Sequence, residues 1–252
     1  MLRLVIIILL LSTACSSKQN DTAAGVCISF DDRSVEEWQE VVELLRDHGA
    51  KATFFITQFD SLTEKEISIL KGFESYGNEI GSHGYNHINA EAQIKKHGYQ
   101  WYIENEITPS IKKMEAEGFT IKSFAYPYGA KFWFTDFILS NYFLITRGVA
   151  DDRNIKNMRS VDGIYYDKTE NGSAVNALNF DKASPIKNEQ ILTGLKYALE
   201  KGKIINLFAH APSQAGSNNK YTFEMERLEY ILINAKELGL KFYTAAELNS
   251  NL

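Results

Sequence analysis

The order of apolar runs along residues 25–248 constrains the fold of this chain most strongly. Short apolar runs, typical of strands that are buried on both faces, alternate with stretches whose apolar residues recur at helical spacing. Strands that alternate with helices form parallel sheets joined by right-handed crossovers. Strands are predicted at 25–30, 52–56, 79–82, 123–126, 143–147, 204–208 and 241–243. Helices are predicted at 35–48, 63–76, 90–117, 132–140, 188–201 and 223–238.

We predict an α/β fold, a single distorted (β/α) barrel of about seven parallel strands, rather than an open doubly wound sheet. The sequence has no glycine-rich turn after its first strand, which an open dinucleotide-binding sheet would require. A chain of 252 residues suits one such barrel, and no linker-like composition interrupts it. Residues 150–186 are the least readable part of the chain, and no strand or helix is predicted there.

The amino terminus has the pattern of a secretory signal peptide. Arg3 supplies a positive start, residues 4–11 form an unbroken apolar run, and small residues follow. The apolar run is far shorter than the roughly 20 residues that span a bilayer, so no transmembrane helix is predicted. Residues 11–15, Leu-Ser-Thr-Ala-Cys, resemble the lipobox of bacterial lipoproteins, whose cysteine carries the lipid. The leucine here lies four residues before the cysteine, one more than in the usual pattern.

Lipidation at Cys15 would anchor the protein to a membrane of the bacterial cell envelope, on the periplasmic or outer surface. Simple cleavage near Ala14, with Cys15 unmodified, is the alternative. When Cys15 carries the lipid, Cys27 is the one free cysteine of the mature chain, so no intramolecular disulfide is expected. The predicted division of the chain is a signal peptide at 1–14, a lipidated tether at 15–24 and a catalytic domain at 25–252.

The charge of the chain argues against a polyanionic partner. The formal net charge is −5, and the lysines and arginines are scattered along the sequence rather than clustered. Nucleic-acid-binding domains carry a basic patch or stripe. We therefore expect no nucleic acid partner.

Histidines and carboxylates follow the predicted strands. The chain has five histidines, and His83, His87 and His210 come after strands. His83 and His87 are four residues apart, a spacing that brings two imidazoles within reach of one ion on a helical turn, although two surface histidines at chance spacing are the alternative. Asp31 and Asp32 follow the first strand, and the carboxyl ends of parallel strands meet at one rim of a barrel. One of these carboxylates would complete a two-histidine, one-carboxylate site for a divalent metal, which leaves the other free to act as a base.

Five stretches of the sequence resemble, in order and in combination, the polysaccharide deacetylases with a NodB homology domain, also called carbohydrate esterase family 4. They are 29–32 (Ser-Phe-Asp-Asp), 51–56 (Lys-Ala-Thr-Phe-Phe-Ile), 82–87 (Ser-His-Gly-Tyr-Asn-His), 124–129 (Phe-Ala-Tyr-Pro-Tyr-Gly) and 207–210 (Leu-Phe-Ala-His). The resemblance covers residues 26–248. It implies the barrel fold and a metal-dependent hydrolase that removes N-acetyl or O-acetyl groups from a carbohydrate polymer or oligosaccharide. An acetylated glycan is the expected substrate.

The resemblance also implies roles for the rim residues. Asp31 would be the general base, and His210 the general acid. Asp32, His83 and His87 would hold one divalent metal ion, with zinc expected first and cobalt, nickel or iron also suited to the site. The metal would polarise the acyl carbonyl and lower the pKa of a bound water.

The 124–129 stretch implies the residues that bind substrate. By resemblance, Tyr126, Pro127 and Tyr128 would line the substrate site, and the backbone N–H of Tyr128 would help to bind the oxyanion. Tyr85, Tyr126 and Trp133 lie in segments that border the inferred cleft, where sugar rings can stack on aromatic faces. Most aromatic side chains are core residues, which is the alternative for each of these three.

The sequence departs from the family pattern in three places. Ala125 stands where the family has an arginine that steadies the catalytic aspartate, and Phe208 stands where it has a leucine. The fourth motif, with its Asp and Trp, is not found. Asp151 or Asp152 is a candidate for the missing acidic partner of His210.

Arg147 is a candidate replacement for the arginine missing at Ala125. It ends the strand that follows the Ala125 strand, so its side chain should point toward the same rim and Asp31. The alternative is that Arg147 is solvated or pairs with Asp151 or Asp152.

Two other functions stay open. Related barrels hydrolyse non-sugar C–N bonds of amides, and a surface lipoprotein that has lost turnover would only bind carbohydrate. The presence of all five polar rim residues argues against such a loss. They are Asp31, Asp32, His83, His87 and His210.

Overall fold

The computed structural model describes residues 24–170, 172–214 and 218–249, so Cys15 and the predicted signal peptide lie outside the described residues. Helices and strands alternate within them as the sequence predicts. The strands, numbered in chain order, are β1 Gly25–Asp32, β2 Thr53–Ile56, β3 Glu79–Ser82, β4 Ser123–Ala125, β5 Ile145–Val149, β6 Tyr165–Tyr166, β7 Ala174–Asn179, β8 Ile204–Ala209, β9 Ala211–Pro212, β10 Thr222–Phe223 and β11 Lys241–Tyr243. The α-helices are α1 Trp38–Asp47, α2 Glu64–Ser75, α3 Ala90–His97, α4 Tyr99–Tyr102, α5 Thr108–Ala116, α6 Thr135–Leu139, α7 Asn188–Lys201, α8 Met225–Glu237 and α9 Ala245–Leu248.

Seven of the described strands close a barrel in which all neighbours are parallel. Their order is β1, β2, β3, β4, β5, β7 and β8, and β8 returns to pair with β1. The predicted (β/α) barrel is therefore confirmed. Since every strand in the ring runs the same way, residues that follow the strands all emerge at one rim.

One member of the ring differs from the prediction. β7 lies in the region where no strand is predicted, and it fills the place between β5 and β8. β11, which is predicted as a barrel strand, instead pairs with the first residues of β1 outside the ring. Two asparagines interrupt the apolar residues of β7, Ala-Val-Asn-Ala-Leu-Asn, which conceals the strand in the sequence.

Two apolar clusters stabilise the barrel. The smaller one fills the interior with inward-facing residues of the strands, among them Cys27, Phe55 and Ile204. α9 closes the amino-terminal end of the barrel, where its backbone N–H groups bind Thr53 and Glu79 at the starts of β2 and β3. The larger cluster lies between the strands and the surrounding helices. Burial of these side chains leaves the opposite, carboxyl-terminal rim for polar groups.

The helical region predicted at 90–117 is confirmed, but it is divided into several helical segments. Gly98 has a φ of 88° between α3 and α4, and a π-helical turn at Ile103–Ile107 precedes α5. A π-turn inserts an extra residue into the helical repeat and is frequent at functional sites. It turns Glu106 toward the loop that carries His83 and His87.

Across the described parts of the chain, no helix has both the length and the apolar composition required to cross a membrane.

Candidate metal centre and active site

The polar residues predicted from the sequence meet at the carboxyl-terminal rim of the barrel. Asp31 and Asp32 end β1, His83 follows β3, and His210 follows β8. Together with His87, they line one pocket of about 390 Å³. The other residues that line this active-site pocket are Tyr126, Tyr128, Gly129, Val149, Asn179, Phe208 and Tyr221.

Asp32, His83 and His87 have the geometry of a metal site. Asp32 Oδ1 lies 3.3 Å from His87 Nε2 and 3.6 Å from His83 Nε2. The three ligand atoms all lie within 4.8 Å of one another. Two atoms that bind one tetrahedral ion at about 2 Å lie about 3.3 Å apart, so these side chains need little movement to share an ion.

The protonation states of these ligands suit a divalent cation. His83 Nδ1–H donates to the carbonyl oxygen of Ala125 at 2.8 Å, which leaves the Nε2 lone pair directed at Asp32. Burial lowers the pKa of His83 to about 4, so its imidazole is neutral at pH 7. Burial alone would raise the pKa of Asp32, but a hydrogen bond from His87 and the neighbouring imidazoles lower it to about 2. The site thus offers a carboxylate and a neutral imidazole at neutral pH.

Two of these ligands adopt left-handed backbone conformations, which are rare for residues with a Cβ. The φ angle is 88° at Asp32 and 57° at His87. Each such residue costs on the order of 1–3 kcal/mol and persists only where the surrounding structure holds it. Strain of this kind concentrates at functional sites.

The carboxylate of Glu106 holds the loop on both sides of His87. Glu106 is fully buried, and it accepts hydrogen bonds from the backbone N–H of Asn86 at 2.8 Å and of Ile88 at 3.2 Å. Burial raises the pKa of Glu106, whereas these hydrogen bonds oppose the rise. A Cβ at Gly84 would lie 2.3 Å from Glu106 Oε1, so the loop needs glycine there. The sequence prediction misses Glu106. The feature that could have revealed Glu106 is a carboxylate side chain on the apolar face of the 90–117 helical pattern.

Arg147 binds Asp31, which confirms the predicted replacement for the missing arginine. Its Nη2 donates to Asp31 Oδ2, and both side chains are buried. The guanidinium carbon lies 4.5 Å from the ring centroid of Phe208 and 5.5 Å from that of Phe55. Ala125 is the register partner of Arg147 across β4 and β5. The guanidinium of Arg147 therefore reaches Asp31 from β5, the strand next to the one that carries Ala125.

Asp181 is the acidic partner of His210. His210 Nδ1–H donates to Asp181 Oδ2 at 2.5 Å, and its backbone N–H donates to Asp181 Oδ1 at 3.1 Å. Burial lowers the pKa of His210, but the hydrogen bond to Asp181 and the nearby carboxylates outweigh it, so the pKa lies above its usual value. Asp181 lies two residues after β7, so the prediction misses it together with that strand.

Asp151 and Asp152 have neither of the roles predicted for them. Asp151 pairs at the surface with Arg153, whose Nη2 lies 2.7 Å from Asp151 Oδ2. Neither aspartate contacts His210 or Arg147 among the described residues. The predicted pairing of either residue with His210, and the alternative pairing with Arg147, are wrong.

The tyrosines after β4 differ in exposure. The Tyr126 side chain is fully buried and packs edge-on against Phe124 in the core. Its buried ring does not stack on a sugar, but Tyr126 is among the residues that line the active-site pocket, so its role in substrate binding stays a prediction. Tyr128 is 68% exposed, has a φ of 62°, and places its ring 4.8 Å from that of His87.

Three other residues predicted to border the cleft are not among the residues that line the pocket. Pro127 is buried in the short turn after β4. Tyr85 donates its hydroxyl to Asp60 at 2.8 Å. Trp133 is 88% exposed. A stacking role for Tyr85 or Trp133 stays a prediction.

A family model described as polysaccharide deacetylase matches residues 18–139. The matched segment contains Asp31, Asp32, His83, His87 and Tyr128. It ends before Arg147, Asp181 and His210, whose contacts come from the structure. No sequence match was found among curated proteins.

Solved structures share the fold at low sequence identity. A CE4 esterase from Streptococcus mutans aligns with a TM-score of 0.60 at 16% identity, covering 88% of this chain and 87% of that one. A peptidoglycan N-acetylglucosamine deacetylase catalytic domain from Eubacterium rectale aligns with a TM-score of 0.54 at 14% identity, covering 89% and 90%. A CE4 family pseudoenzyme from Bacillus anthracis aligns at 0.53 and 17% identity, covering 90% and 66%. Such likeness establishes the fold alone.

Proposed function

We propose that this chain, which belongs to the polysaccharide deacetylase family, is a metal-dependent hydrolase that removes acetyl groups from a carbohydrate. One observation carries the proposal. The triad Asp32, His83 and His87 shares a single pocket with a buried carboxylate, Asp31, and a histidine, His210. Hydrolysis of an acyl group requires an electrophilic centre, a base and an acid, and this pocket contains a group suited to each.

Asp32, His83 and His87 would hold the metal. A bound divalent ion would polarise the acyl carbonyl and make a water more acidic. The donor set favours zinc, and it also suits cobalt, nickel or iron. The hydrogen bond from His83 to the Ala125 carbonyl fixes the tautomer that such binding needs.

Asp31 would take the proton from the attacking water. Its Oδ2 atom is bound by Arg147, whereas its Oδ1 atom has no hydrogen-bond partner among the described residues. The arginine thus orients the carboxylate and leaves one oxygen free for a water. The neighbouring triad supplies the site at which that water would react.

His210 would give a proton to the leaving group. His210 Nδ1–H donates to the carboxylate of Asp181, so Nε2 is the ring nitrogen of His210 that is left to face the pocket. The raised pKa keeps more of the imidazole protonated at neutral pH. A sugar nitrogen leaves poorly unless it is protonated, so this arrangement favours an N-acetyl substrate, with O-acetyl as the nearest variant.

The mouth of the pocket suits a sugar ring. Exposed rings of Tyr128 and Tyr221 line it, and they lie 4.8 Å from His87 and 5.7 Å from His210 respectively. Aromatic faces of this kind stack against the apolar faces of sugars. The backbone N–H of Tyr128, in a turn held by a left-handed φ, is proposed to bind the oxyanion.

We further propose that Cys15 carries a lipid that holds the enzyme at the cell envelope. The proposal rests on the signal-peptide pattern and the lipobox-like residues 11–15. More than one acyl chain on the cysteine would give stable anchoring, because a single chain binds a membrane only marginally.

A screen of acetylated substrates tests the function. Zinc-loaded protein would be assayed for acetate release from chitooligosaccharides, peptidoglycan fragments and acetylated xylan. We expect release from at least one glycan, its loss with a chelator, and its loss in Asp31→Asn with bound metal retained. Hydrolysis of simple amides without glycan activity would favour the alternative of a non-sugar C–N hydrolase. Glycan binding without any release would favour a binding lipoprotein.

A further inference from the structure

One side of the barrel carries an exposed apolar surface that the proposed chemistry does not use. It lies on residues 132–144, which the structure describes throughout and which run from the turn after β4, through α6, to the start of β5. Trp133 is 88% exposed and Phe137 is 79% exposed, and a group of large apolar side chains left so open marks an interaction site. We call this surface the α6 face, and its exposed residues are Trp133, Phe137, Ser140, Asn141, Tyr142 and Leu144.

The α6 face carries no charge of its own and directs polar groups back into the protein. The two charged residues beside it, Lys131 and Asp136, bind each other at 2.5 Å and are each 20% exposed. Ser140 Oγ and Asn141 Nδ2 donate to backbone carbonyl oxygens of the same segment at 2.7 Å and 3.0 Å. Covering the hydroxyls of a sugar without hydrogen-bond partners is costly, so this surface suits an apolar occupant better than a glycan.

We propose that the α6 face rests in the interface of the membrane bilayer and sets the orientation of the protein on the membrane. The inference rests on the proposed lipid anchor and goes beyond it, because it assigns a second contact between protein and bilayer. Tryptophan and tyrosine are enriched at membrane–water interfaces, where an apolar ring and a polar tip both find suitable surroundings. Trp133, Phe137, Tyr142 and Leu144 form an exposed set of this kind.

The core supports the α6 face from beneath. The ring of Trp133 packs edge-on against that of Phe134, with centroids 5.7 Å apart, and Phe134 stacks on Phe132 at 5.3 Å. Phe132 and Phe134 are partly buried against the larger apolar cluster. Because the exposed ring has a fixed support, contact with a bilayer loses less conformational entropy than contact through a mobile loop.

The predicted tether keeps the bilayer close to the α6 face. Cys15 lies nine positions before Ala24, and an extended chain of that length spans at most about 30 Å. Ala24 directly precedes β1 and Leu144 directly precedes β5, so both lie at the amino-terminal end of the barrel. A domain of about 225 residues has a radius of gyration of about 17 Å, which places the side of the barrel within reach of the anchored bilayer.

The proposed contact fixes the direction of the active site. The segment that carries the α6 face begins after β4, at the active-site rim, and ends at Leu144, at the opposite end of the barrel. A barrel that rests on this segment lies on its side. Its active-site rim then faces along the membrane surface.

The size of the α6 face argues against a stable dimer. A specific protein–protein interface uses about 20–30 residues on each side, whereas the α6 face exposes the six residues that define it. A contact with a bilayer can be smaller, because the anchor holds the face beside the membrane and makes a weak contact effective.

The test is quenching of tryptophan fluorescence by phospholipids with brominated acyl chains, which act on rings that reach those chains. The mature full-length protein is mixed with vesicles of phosphatidylethanolamine and phosphatidylglycerol, with and without bromine. The emission of Trp133 is the difference between unsubstituted protein and Trp133→Phe. Trp101, read in the same way from Trp101→Phe, is the internal control, since it lies outside the α6 face and stacks on His97 with ring centroids 4.6 Å apart.

We expect brominated lipid to quench Trp133 and to leave Trp101 unquenched. Phe137→Glu places a charge in the α6 face and should abolish the quenching of Trp133. Ile233→Glu, at an exposed apolar residue of α8, is the matched control and should leave the quenching unchanged.

Three results would overturn the inference. The first is equal emission of Trp133 with and without bromine, or equal quenching of Trp133 and Trp101. The second is unchanged quenching in Phe137→Glu. The third is emission of Trp133 that responds to an N-acetylglucosamine tetramer, or to protein concentration, instead of to brominated lipid; it would assign the α6 face to a glycan or to a second copy of the chain.

Two further measurements on the same protein separate this inference from the proposals on which it rests. Mass spectrometry shows whether Cys15 carries a lipid, and an acetate assay shows whether the protein is active. Quenching of Trp133 in protein without a lipid would keep the bilayer contact and reject the anchor. Quenching in protein that releases no acetate would keep the contact and reject the enzymatic function.

Discussion

The guanidinium of Arg147 on β5 binds the carboxylate of Asp31 on β1, although the two residues are separated by 116 positions in the chain. Both side chains are buried, and the guanidinium packs against the rings of Phe208 and Phe55. Within the described part of the chain, Oδ1 of Asp31 has no hydrogen-bond partner, and it lies beside the three predicted metal ligands. Arg147 is therefore a positioning residue for the proposed base, supplied from a strand next to the one that carries Ala125.

The first prediction concerns moving this arginine from β5 to β4. Arg147→Ala leaves the buried Asp31 without its cation, and breaking a buried pair costs about 3–5 kcal/mol of stability. We expect kcat/KM for acetate release to fall by about 100-fold or more, as orientation of the base is lost. Adding Ala125→Arg should return a guanidinium to Asp31 and recover part of the activity and of the unfolding midpoint.

Arg153→Ala is the control for this exchange, because its pair with Asp151 is at the surface, where ion pairs contribute little. A double variant no more active than Arg147→Ala would show that the pairing does not support activity.

The second prediction concerns pH. A general acid must be protonated, so activity declines as pH rises through its pKa. Asp181 raises the pKa of His210 against the effect of burial. The alkaline limb of the kcat/KM profile should therefore lie above the ordinary histidine pKa of about 6.5. Asp181→Asn should move this limb to lower pH, whereas Asp47→Asn should leave it in place; an unmoved limb in Asp181→Asn would reject His210 as the acid.

The third prediction concerns Glu106. Removing its carboxylate leaves the backbone N–H groups of Asn86 and Ile88 without an acceptor and frees the loop around His87. Loss of a residue that holds metal ligands in position typically weakens metal affinity by about 10–100-fold. We expect Glu106→Ala to bind zinc more weakly by the same factor. Glu104→Ala, on the exposed side of the same π-helical turn, is the control. Equal zinc affinities in the two variants would contradict the role of Glu106.

The barrel could be predicted from sequence because apolar runs mark most of its strands. The set Asp32, His83 and His87 needed the family resemblance as well, because strand positions alone leave open whether Asp31 or Asp32 is the carboxylate ligand. Asp32 ends β1, and His83 directly follows β3. β7 could not be predicted, because its asparagines break the apolar run that marks a buried strand. Asp181 was missed for the same reason, since its position is recognisable only once β7 is known.

Contacts between distant elements were harder to predict. The pairing of Arg147 with Asp31 could be inferred only from strand order and an assumed side-chain direction. The sequence therefore left open whether Arg147 binds Asp31 or is instead solvated or paired with another aspartate. Glu106 depends on a π-helical turn that sets its direction, and helical periodicity does not reveal such a turn.

The fourth prediction concerns the anchor. If Cys15 carries lipid, the expressed protein should be found in the membrane fraction, and Cys15→Ser should move it to the soluble periplasmic fraction. Cys27→Ser is the control, since Cys27 is buried inside the barrel and should not affect location. An unchanged distribution of Cys15→Ser would count against lipidation.

Zinc stoichiometry measured by isothermal titration shows whether Asp32, His83 and His87 form a metal centre. We predict one tightly bound equivalent for the unsubstituted protein and none for His87→Ala, because the variant loses one of three protein ligands. His97→Ala, which changes an exposed histidine at the end of α3, should retain the full equivalent. One tight equivalent bound by His87→Ala would contradict the assignment of Asp32, His83 and His87 as the metal site.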